Sequence, residues 1–443
     1  MSKKICRILS VCICLFCGVV AYGQTGGAYG SFSPYSIYGI GNISKEGTAY
    51  NKSMGGVGIA TRNRRFINIL NPASLTARDT LSFMADFGLA ESNTIYRQNL
   101  GGAKLISGNN TFNIHDFVIS FPIYKSSAFM VGITPFSDIG YEFSSDVTEG
   151  DIIGETGNIT YTNYGEGSLY QLFAGGAVTF WRRLSLGAQF IYYFGSLDKV
   201  YNMYYYDSSF RSVNNGYNLL LRGVTGKFGV QYEYPLGNDL TMTFGATYRL
   251  RTNVRGQVTD YSYANTSETT DTLRNNIDTL GRSSGLKFGD ELGIGISLRS
   301  GERWSVEVNY LMSDWRRTGM EGRPGFAANG SSVFTSTVSH SVRAGFEIVP
   351  NRNDIRYYLR RCAYRAGVYY DTSYYLFDGN RVNSLGITFG VTLPVFRWYN
   401  GITVGVDMGQ RGSLRNNMVR ERYISFAVGF NIHDLWFQKP RYD

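Results

Sequence analysis

Apolar and polar residues alternate with a period of two, again and again, from about residue 81 to near the end of this chain. Trp304, Val306, Val308, Tyr310 and Met312 share one face of such a run, while Ser305, Glu307 and Asn309 share the other. Leu240, Met242, Phe244, Ala246, Tyr248 and Leu250 alternate with Thr241, Thr243, Gly245, Thr247 and Arg249. Leu385, Ile387, Phe389, Val391 and Leu393 alternate with Gly386, Thr388, Gly390 and Thr392. Successive side chains of a strand point to opposite faces, so each run predicts a β-strand with one apolar face and one small or polar face. Roughly fourteen strands are expected, each long enough to cross a tilted membrane wall. They lie near 81–90, 111–121, 127–143, 168–181, 184–196, 217–234, 240–251, 286–299, 303–312, 337–349, 363–371, 384–394, 400–409 and 420–432.

The links between these strands separate a membrane barrel from a soluble sandwich. Those after the second, fourth, sixth and eighth strands are short: Pro122 to Ser126, Arg182-Arg183, Pro235 to Asp239 and Ser300 to Glu302. Those after the third, fifth, seventh and ninth are long and polar, such as Arg251 to Gly285. Outer-membrane barrels show this parity because short turns face the periplasm and long loops face outward. One link, Pro350 to Arg361, is longer than its parity predicts. An even strand count places both ends of the barrel in the periplasm. Closure also pairs every backbone N–H and C=O inside the bilayer, which strands with free edges cannot do. The expected fold class is therefore all-β, a transmembrane antiparallel up-and-down β-barrel of about 14 strands. Trp181, Trp304 and Trp398, near strand ends, suit interfacial girdles.

The residues before the first strand divide in two. Lys3, Lys4 and Arg7 precede the apolar stretch Ile8 to Val20, and Ala21-Tyr22-Gly23 has the small-x-small form of a signal-peptidase site. Cys12, Cys14 and Cys17 fall in this stretch, but Val11 and Phe16 are too large for a lipobox, so they read as apolar filler. Residues 24–80 are rich in Gly, Ser and Asn without clean alternation, which a plug folded inside the lumen accounts for. The expected organisation is a cleaved signal peptide at 1–23, a hatch at 24–80, the barrel at 81–432 and a periplasmic tail at 433–443.

Composition changes this picture little. The 34 Tyr, 28 Phe and 53 Gly against 9 Pro suit many strands and tight turns. Past the signal no run of apolar residues is long enough for a transmembrane helix. Cys362 is the only cysteine left in the mature chain, so no intramolecular disulfide is available. The net charge of +9 loses the three cations of the signal, and no Lys/Arg run marks a nucleic-acid surface. Arg356, Arg360, Arg361 and Arg365 flank the one long periplasmic link and read as a solvated face.

The glycine-rich Gly55-Gly56-Val57-Gly58-Ile59-Ala60, the Asn71-Pro72-Ala73 that follows, and the third strand from Phe129 to Tyr141 resemble the FadL-type family of outer-membrane transporters. The chain looks like a divergent branch, ending in a tail from Asp434 to Asp443 beyond an aromatic, Phe430, in the last strand. The resemblance implies fourteen strands around an N-terminal hatch and passive uptake of fatty-acid-like or hydrocarbon-like molecules. It further implies sideways exit through a kink in strand three. Pro135 removes a ladder hydrogen bond and favours a bulge, so Pro135, Phe136 and Gly140 are the candidate lateral opening. Gly55, Gly56, Gly58, Asn71, Pro72 and Ala73 are the candidate hatch residues, with Asn71-Pro72-Ala73 read first as a turn that seats the plug. The resemblance places the chain in the outer membrane of a Gram-negative-type bacterium, surrounded by outer-membrane lipid and lipopolysaccharide, with a hydrophobic small molecule as ligand. FadL-like barrels also resemble accessory subunits of outer-membrane protein secretion or assembly complexes, and that alternative stays open here.

Catalytic chemistry is not expected. His115 precedes Asp116 and His340 precedes Ser341; neighbours on a strand face opposite ways, so neither pair is expected to form part of a triad. Gly281-Arg282-Ser283-Ser284-Gly285 fits G-x-S-x-G in letters but lacks the strand–turn–helix context that makes the serine a nucleophile. No Cys/His cluster has metal-ligand spacing, and no cofactor is implied.

Overall fold

The computed structural model describes residues 30–78, 82–124, 127–237, 239–265, 269–281, 284–327, 333–396 and 400–435. The signal stretch, Ser283, Trp398 and residues 436–443 lie outside them. Fourteen strands close into one antiparallel barrel. They are β1 Ser82–Leu100, β2 Ala103–Tyr124, β3 Ser127–Asp146, β4 Ile159–Phe180, β5 Leu184–Tyr205, β6 Ser212–Pro235 and β7 Leu240–Arg249. The second half comprises β8 Asp290–Ser300, β9 Trp304–Asp314, β10 Val338–Ile348, β11 Ala363–Phe377, β12 Asn380–Phe396, β13 Asn400–Arg411 and β14 Arg420–Leu435. The last strand returns to the first along its whole length, from Arg420 opposite Arg97 to Leu435 opposite Ser82. Alternation sets the faces as expected for a wall between lipid and lumen. On β9, Val306 and Val308 are 38% and 51% exposed outside, while Glu307 and Asn309 are each 1% exposed inside.

The strands run further outward than their apolar alternation does. β1 continues to Leu100 and β2 begins at Ala103, so the expected link between 90 and 111 is strand on both sides of Gly101-Gly102. Those two glycines have φ of 57° and 88°, the backbone of a tight hairpin turn that other residues adopt at a cost. The polar loop expected from Arg251 to Gly285 is likewise a hairpin, Thr252–Asn265 with Thr270–Leu280, docked on the outer half of β6. Along Thr270–Thr279 every residue is exposed, so no apolar face is needed there and the period-two signal fades. At the other end β14 carries His433 and Asp434 within the wall, beyond the boundary expected at 432. The long periplasmic link holds a short helix, Tyr358–Arg361.

Residues 30–78 fill the lumen. They contain the 3-10 turns Pro34–Ile37 and Pro72–Ala77, a two-residue strand Asn42–Ile43 and a single helical turn Ala49–Lys52. Ile40, Val57 and Ile59 are almost completely buried between this segment and the wall, each stabilising by about 1.5–3 kcal/mol. Glycines on the inner faces make room for it. Gly187 and Gly229 lie opposite each other on β5 and β6, and a Cβ there would fall 2.5 Å from Ala73 N and 2.1 Å from Asn71 Oδ1. The facing pairs Gly245–Gly295 and Gly345–Gly367 admit the backbone at Ile59 and at Met54 in the same way. The glycine-rich inner faces are therefore the seat of the plug.

Candidate functional site

Among the described residues the wall has one seam, between β2 and β3. These strands pair only from Phe117 opposite Ile133 to Tyr124 opposite Ser127. Pro135 sits opposite Tyr170 of β4, and the register then slips, leaving Phe136 as an extra residue with its ring buried. From Thr134 to Tyr141 every residue of β3 is buried, whereas a strand in the wall alternates. Beyond Ile133 the edge of β3 pairs with the plug instead of β2: Asn42 and Ile43 lie opposite Asp138 and Ser137. Ser33 N donates to Gly140 O at 2.7 Å and Ser44 N to Phe136 O at 2.9 Å. Tyr96 OH of β1 donates to Phe32 O of the plug at 2.8 Å. Among the described residues no strand pairs with the β3-facing edge of β2 from Ala103 to Asp116. The structure thus brings Pro135, Phe136 and Gly140 together at a break in the wall that residues 30–44 stopper.

The stopper backs onto an apolar cluster at the outer mouth. Phe136 packs against Tyr193 and Phe288, with ring centroids 4.4 Å and 5.4 Å apart. Phe288 leads on to Trp315, and Trp315 to Tyr374. Ile37, Tyr38 and Ile40 of the stopper complete the cluster. Lys199 donates from Nζ to Ile37 O at 2.7 Å and anchors that turn.

The hatch motif lies deeper. Gly55 and Gly56 have φ of 73° and 75°, and Gly55 N donates to Thr388 Oγ1 at 2.7 Å on the wall. Gly58 passes between Asn51, Asn68 and Leu70, where a Cβ would come within 2.6 Å of Asn51 Nδ2. Asn71 caps the turn Pro72–Ala77: its Oδ1 accepts from Ala73 N at 3.0 Å, and its Nδ2 donates to Ile59 O at 2.7 Å. Pro72 stands at the first position of the turn, where its missing N–H costs nothing. Asn71→Ala removes the acceptor of Ala73 N, while Ile59 O keeps its bond from Gln231 Nε2 at 2.9 Å, so the loss expected is that of the cap, about 1 kcal/mol. The shift of the barrel's unfolding midpoint in urea measures it.

Charge lines the middle of the lumen, and sequence reasoning missed it. Glu46 of the plug takes Lys227 at 2.8 Å and Arg249 at 2.7 Å, and Arg249 also holds Glu291 at 3.0 Å. Lys45 pairs with Asp407, Arg62 with Glu233, and Arg343 with Asp371. Burial alone would raise the Glu46 pKa, but the Lys227 and Arg249 charges outweigh it and hold the carboxyl at about 2. Burial pushes the Lys52 ammonium down to about 8. The available signal was the polar side of each alternating run, where Arg249 and Glu307 stand, though which plug residue would meet each was not legible.

One expectation is corrected. His115 and Asp116 do not face opposite ways: the register slips between Gly88 and Leu89 of β1, and the resulting bulge turns both side chains inward. They contact each other through Nδ1 and Oδ1. A Cβ at Gly88 would collide with both, so only glycine fits opposite the bulge. Among the described residues no group of three or more His, Cys, Asp or Glu is placed to hold a metal ion, and no helix is long and apolar enough to cross a membrane.

Solved structures share this architecture. The toluene transporter TodX of P. putida aligns with a TM-score of 0.57 at 15% identity, over 91% of this chain and 100% of that one. The toluene transporter TbuX of Ralstonia pickettii gives 0.52 at 14% identity, over 87% and 97%. A FadL homologue of Pseudomonas aeruginosa gives 0.53 at 10% identity, over 89% and 99%. The FadL-type resemblance and the fourteen-stranded barrel are borne out at the level of the fold. TodX and TbuX are toluene transporters. No curated protein matches the sequence. A family model, BamG, matches residues 1–443, its whole length here, and the chain therefore belongs to the BamG family, built on a FadL-type outer-membrane barrel.

Proposed function

We propose that this protein is a passive outer-membrane channel for hydrophobic small molecules, which leave sideways into the bilayer through the seam beside Pro135. The carrying observation is the departure of β3 from β2 at Ile133, with an apolar cluster directly behind it. An apolar solute gains free energy by moving through that cluster into lipid instead of crossing water. Residues 24–80 act as the hatch, 1–23 are removed on export, and the barrel runs on to Leu435 instead of ending at 432. The belt meets outer-membrane lipid, with lipopolysaccharide around its outer rim. In vesicles of outer-membrane lipid, the purified protein is expected to take up toluene or hexadecane faster than protein-free vesicles; equal rates would remove the reading.

A second reading has its own observation. Ion pairs clamp the plug to the wall at Glu46, Lys45 and Arg62, which opposes easy movement of a hatch. A barrel with a fixed plug suits an accessory subunit of an outer-membrane protein secretion or assembly complex. Pull-down from solubilised membranes separates the two: a stable complex with a larger barrel favours the subunit, and isolation of the protein alone sinks it.

A further inference from the structure

Between the plug and the wall lies a chamber of about 460 Å³ that reaches the seam, lined there by Glu91, Asn113, His115, Pro135 and Asp138. Most of its charges are already matched. Lys45 meets Asp407, Glu46 meets Lys227 and Arg249, Arg249 also meets Glu291, and Arg343 meets Asp371. Arg411 stands opposite Glu421 on paired strands, and Asp116 contacts His115. Three groups remain without an ion pair among the described residues. Lys52 lines the chamber from the end of the plug's helical turn, with Asp116, Asp407 and Asp138 acting on it only at longer range. Glu91 accepts a single amide hydrogen bond, from Asn110 at 3.1 Å. Asp138 accepts hydroxyls, from Ser44 at 2.8 Å and Ser168 at 2.7 Å, but meets no cation.

Glu91 and Asp138 are 6% and 3% exposed, and a buried charge without a counter-charge is costly, a cost that a ligand of complementary charge relieves. One cation and two carboxylates at the same chamber complement a group that carries a phosphate and an ammonium together. The seam decides what that group is attached to. Along the free edge of β2, Phe112 and Ile114 are 60% and 52% exposed on the outer face, and Phe117 lies just below them. A chain leaving the chamber through the seam would therefore land on apolar wall and then on lipid.

We propose that the chamber is a headgroup site for a membrane amphiphile whose head bears both phosphate and ammonium. Lys52 takes the phosphate, Glu91 and Asp138 take the ammonium, and the acyl tail leaves between β2 and β3. This rests on the seam of the channel reading and names a ligand class for it, one distinguished from plain hydrocarbon by its head.

The test uses the full mature protein in dodecyl maltoside, with the fluorescence of Trp315, which lines the chamber, as readout. The probes are lysophosphatidylethanolamine, lysophosphatidylglycerol, laurate and water-soluble phosphoethanolamine. Lysophosphatidylethanolamine is expected to bind about 10-fold more tightly than each of the others, as losing a charge-assisted contact or the tail predicts. Lys52→Met and Glu91→Gln should each weaken it by about 10-fold, in variants checked to be folded by retained heat-modifiable migration on gels. Phosphoethanolamine binding as tightly as the lipid would overturn the membrane source in favour of a free solute. Equal affinity for laurate, or binding indifferent to both substitutions in folded protein, would overturn the headgroup site. Hydrocarbon uptake in vesicles is scored separately: its loss with selective lipid binding retained sinks the channel reading alone, and its persistence without lipid selectivity sinks this proposal alone.

Discussion

Glu46→Gln should destabilise the folded protein by about 3–5 kcal/mol, the usual consequence of removing one member of a buried ion pair. Lys227 and Arg249 have side chains only 4% exposed, and both point at this one carboxylate. Arg249 keeps Glu291 after the substitution, whereas Lys227 has no second carboxylate partner among the described residues. The neutral amide still accepts a hydrogen bond but no longer offsets the desolvation of two cations. Urea unfolding of the detergent-solubilised barrel, followed by gel mobility, measures the loss; a midpoint equal to the parent's would rule out a clamping role for Glu46. The same group sets a pH dependence. Its folded pKa of about 2 lies below its ordinary value of 4.5, so its contribution is fully present above about pH 4.5 and is lost as pH falls toward 2. The parent should lose its advantage over the Gln variant across that window, on the order of 3 kcal/mol.

Gly140→Leu is expected to push the stopper out of the seam. A Cβ at Gly140 would lie 1.8 Å from Ser31 O and 2.9 Å from Ser31 C, so backbone would have to move. The barrel's ladder between β3 and β4 holds Gly140 in place opposite Glu166, whereas residues 31–33 are held by a few hydrogen bonds. The weaker side should yield. Overpacking of this kind costs about 1–3 kcal/mol, which corresponds to an increase in open seam on the order of 10-fold. A cysteine introduced at Ser31 reports it through its alkylation rate, and hydrocarbon uptake should rise in parallel if the seam is the exit. Unchanged alkylation in a folded variant would mean that the segment is not displaced. Faster alkylation with unchanged uptake would place the exit elsewhere.

The β3 proline illustrates how far the residues themselves speak. Pro135 inside an alternating run indicates a broken ladder, because proline has no N–H to give. Which neighbour β3 would lose was not legible, since pairing with β2 or with the plug depends on residues nearly a hundred positions away, as Asn42 opposite Asp138 shows. The bulge at His115-Asp116 makes the same point in reverse. Strict alternation assigns the two side chains to opposite faces, and a single slipped residue places both inside. Within the outer hairpin, Thr270–Leu280 carried no apolar stripe because all of it but Leu280 is exposed, whereas Thr252–Asn265 buries Val254 and Val258.

By itself the sequence determined that this chain forms a many-stranded barrel with short periplasmic turns and something folded ahead of the first strand. Those features are local: lipid on one side and lumen on the other impose a period of two, and turns are written in the few residues that make them. Only the tertiary structure decided that most charges of the lumen are matched, that glycines seat the plug, and that β3 leaves β2 beyond Ile133 to pair with the plug. Glu46 meets partners 181 and 203 residues away. Contacts at that range are fixed by strand register and barrel closure, and a shift of one residue would exchange every inward side chain for its outward neighbour.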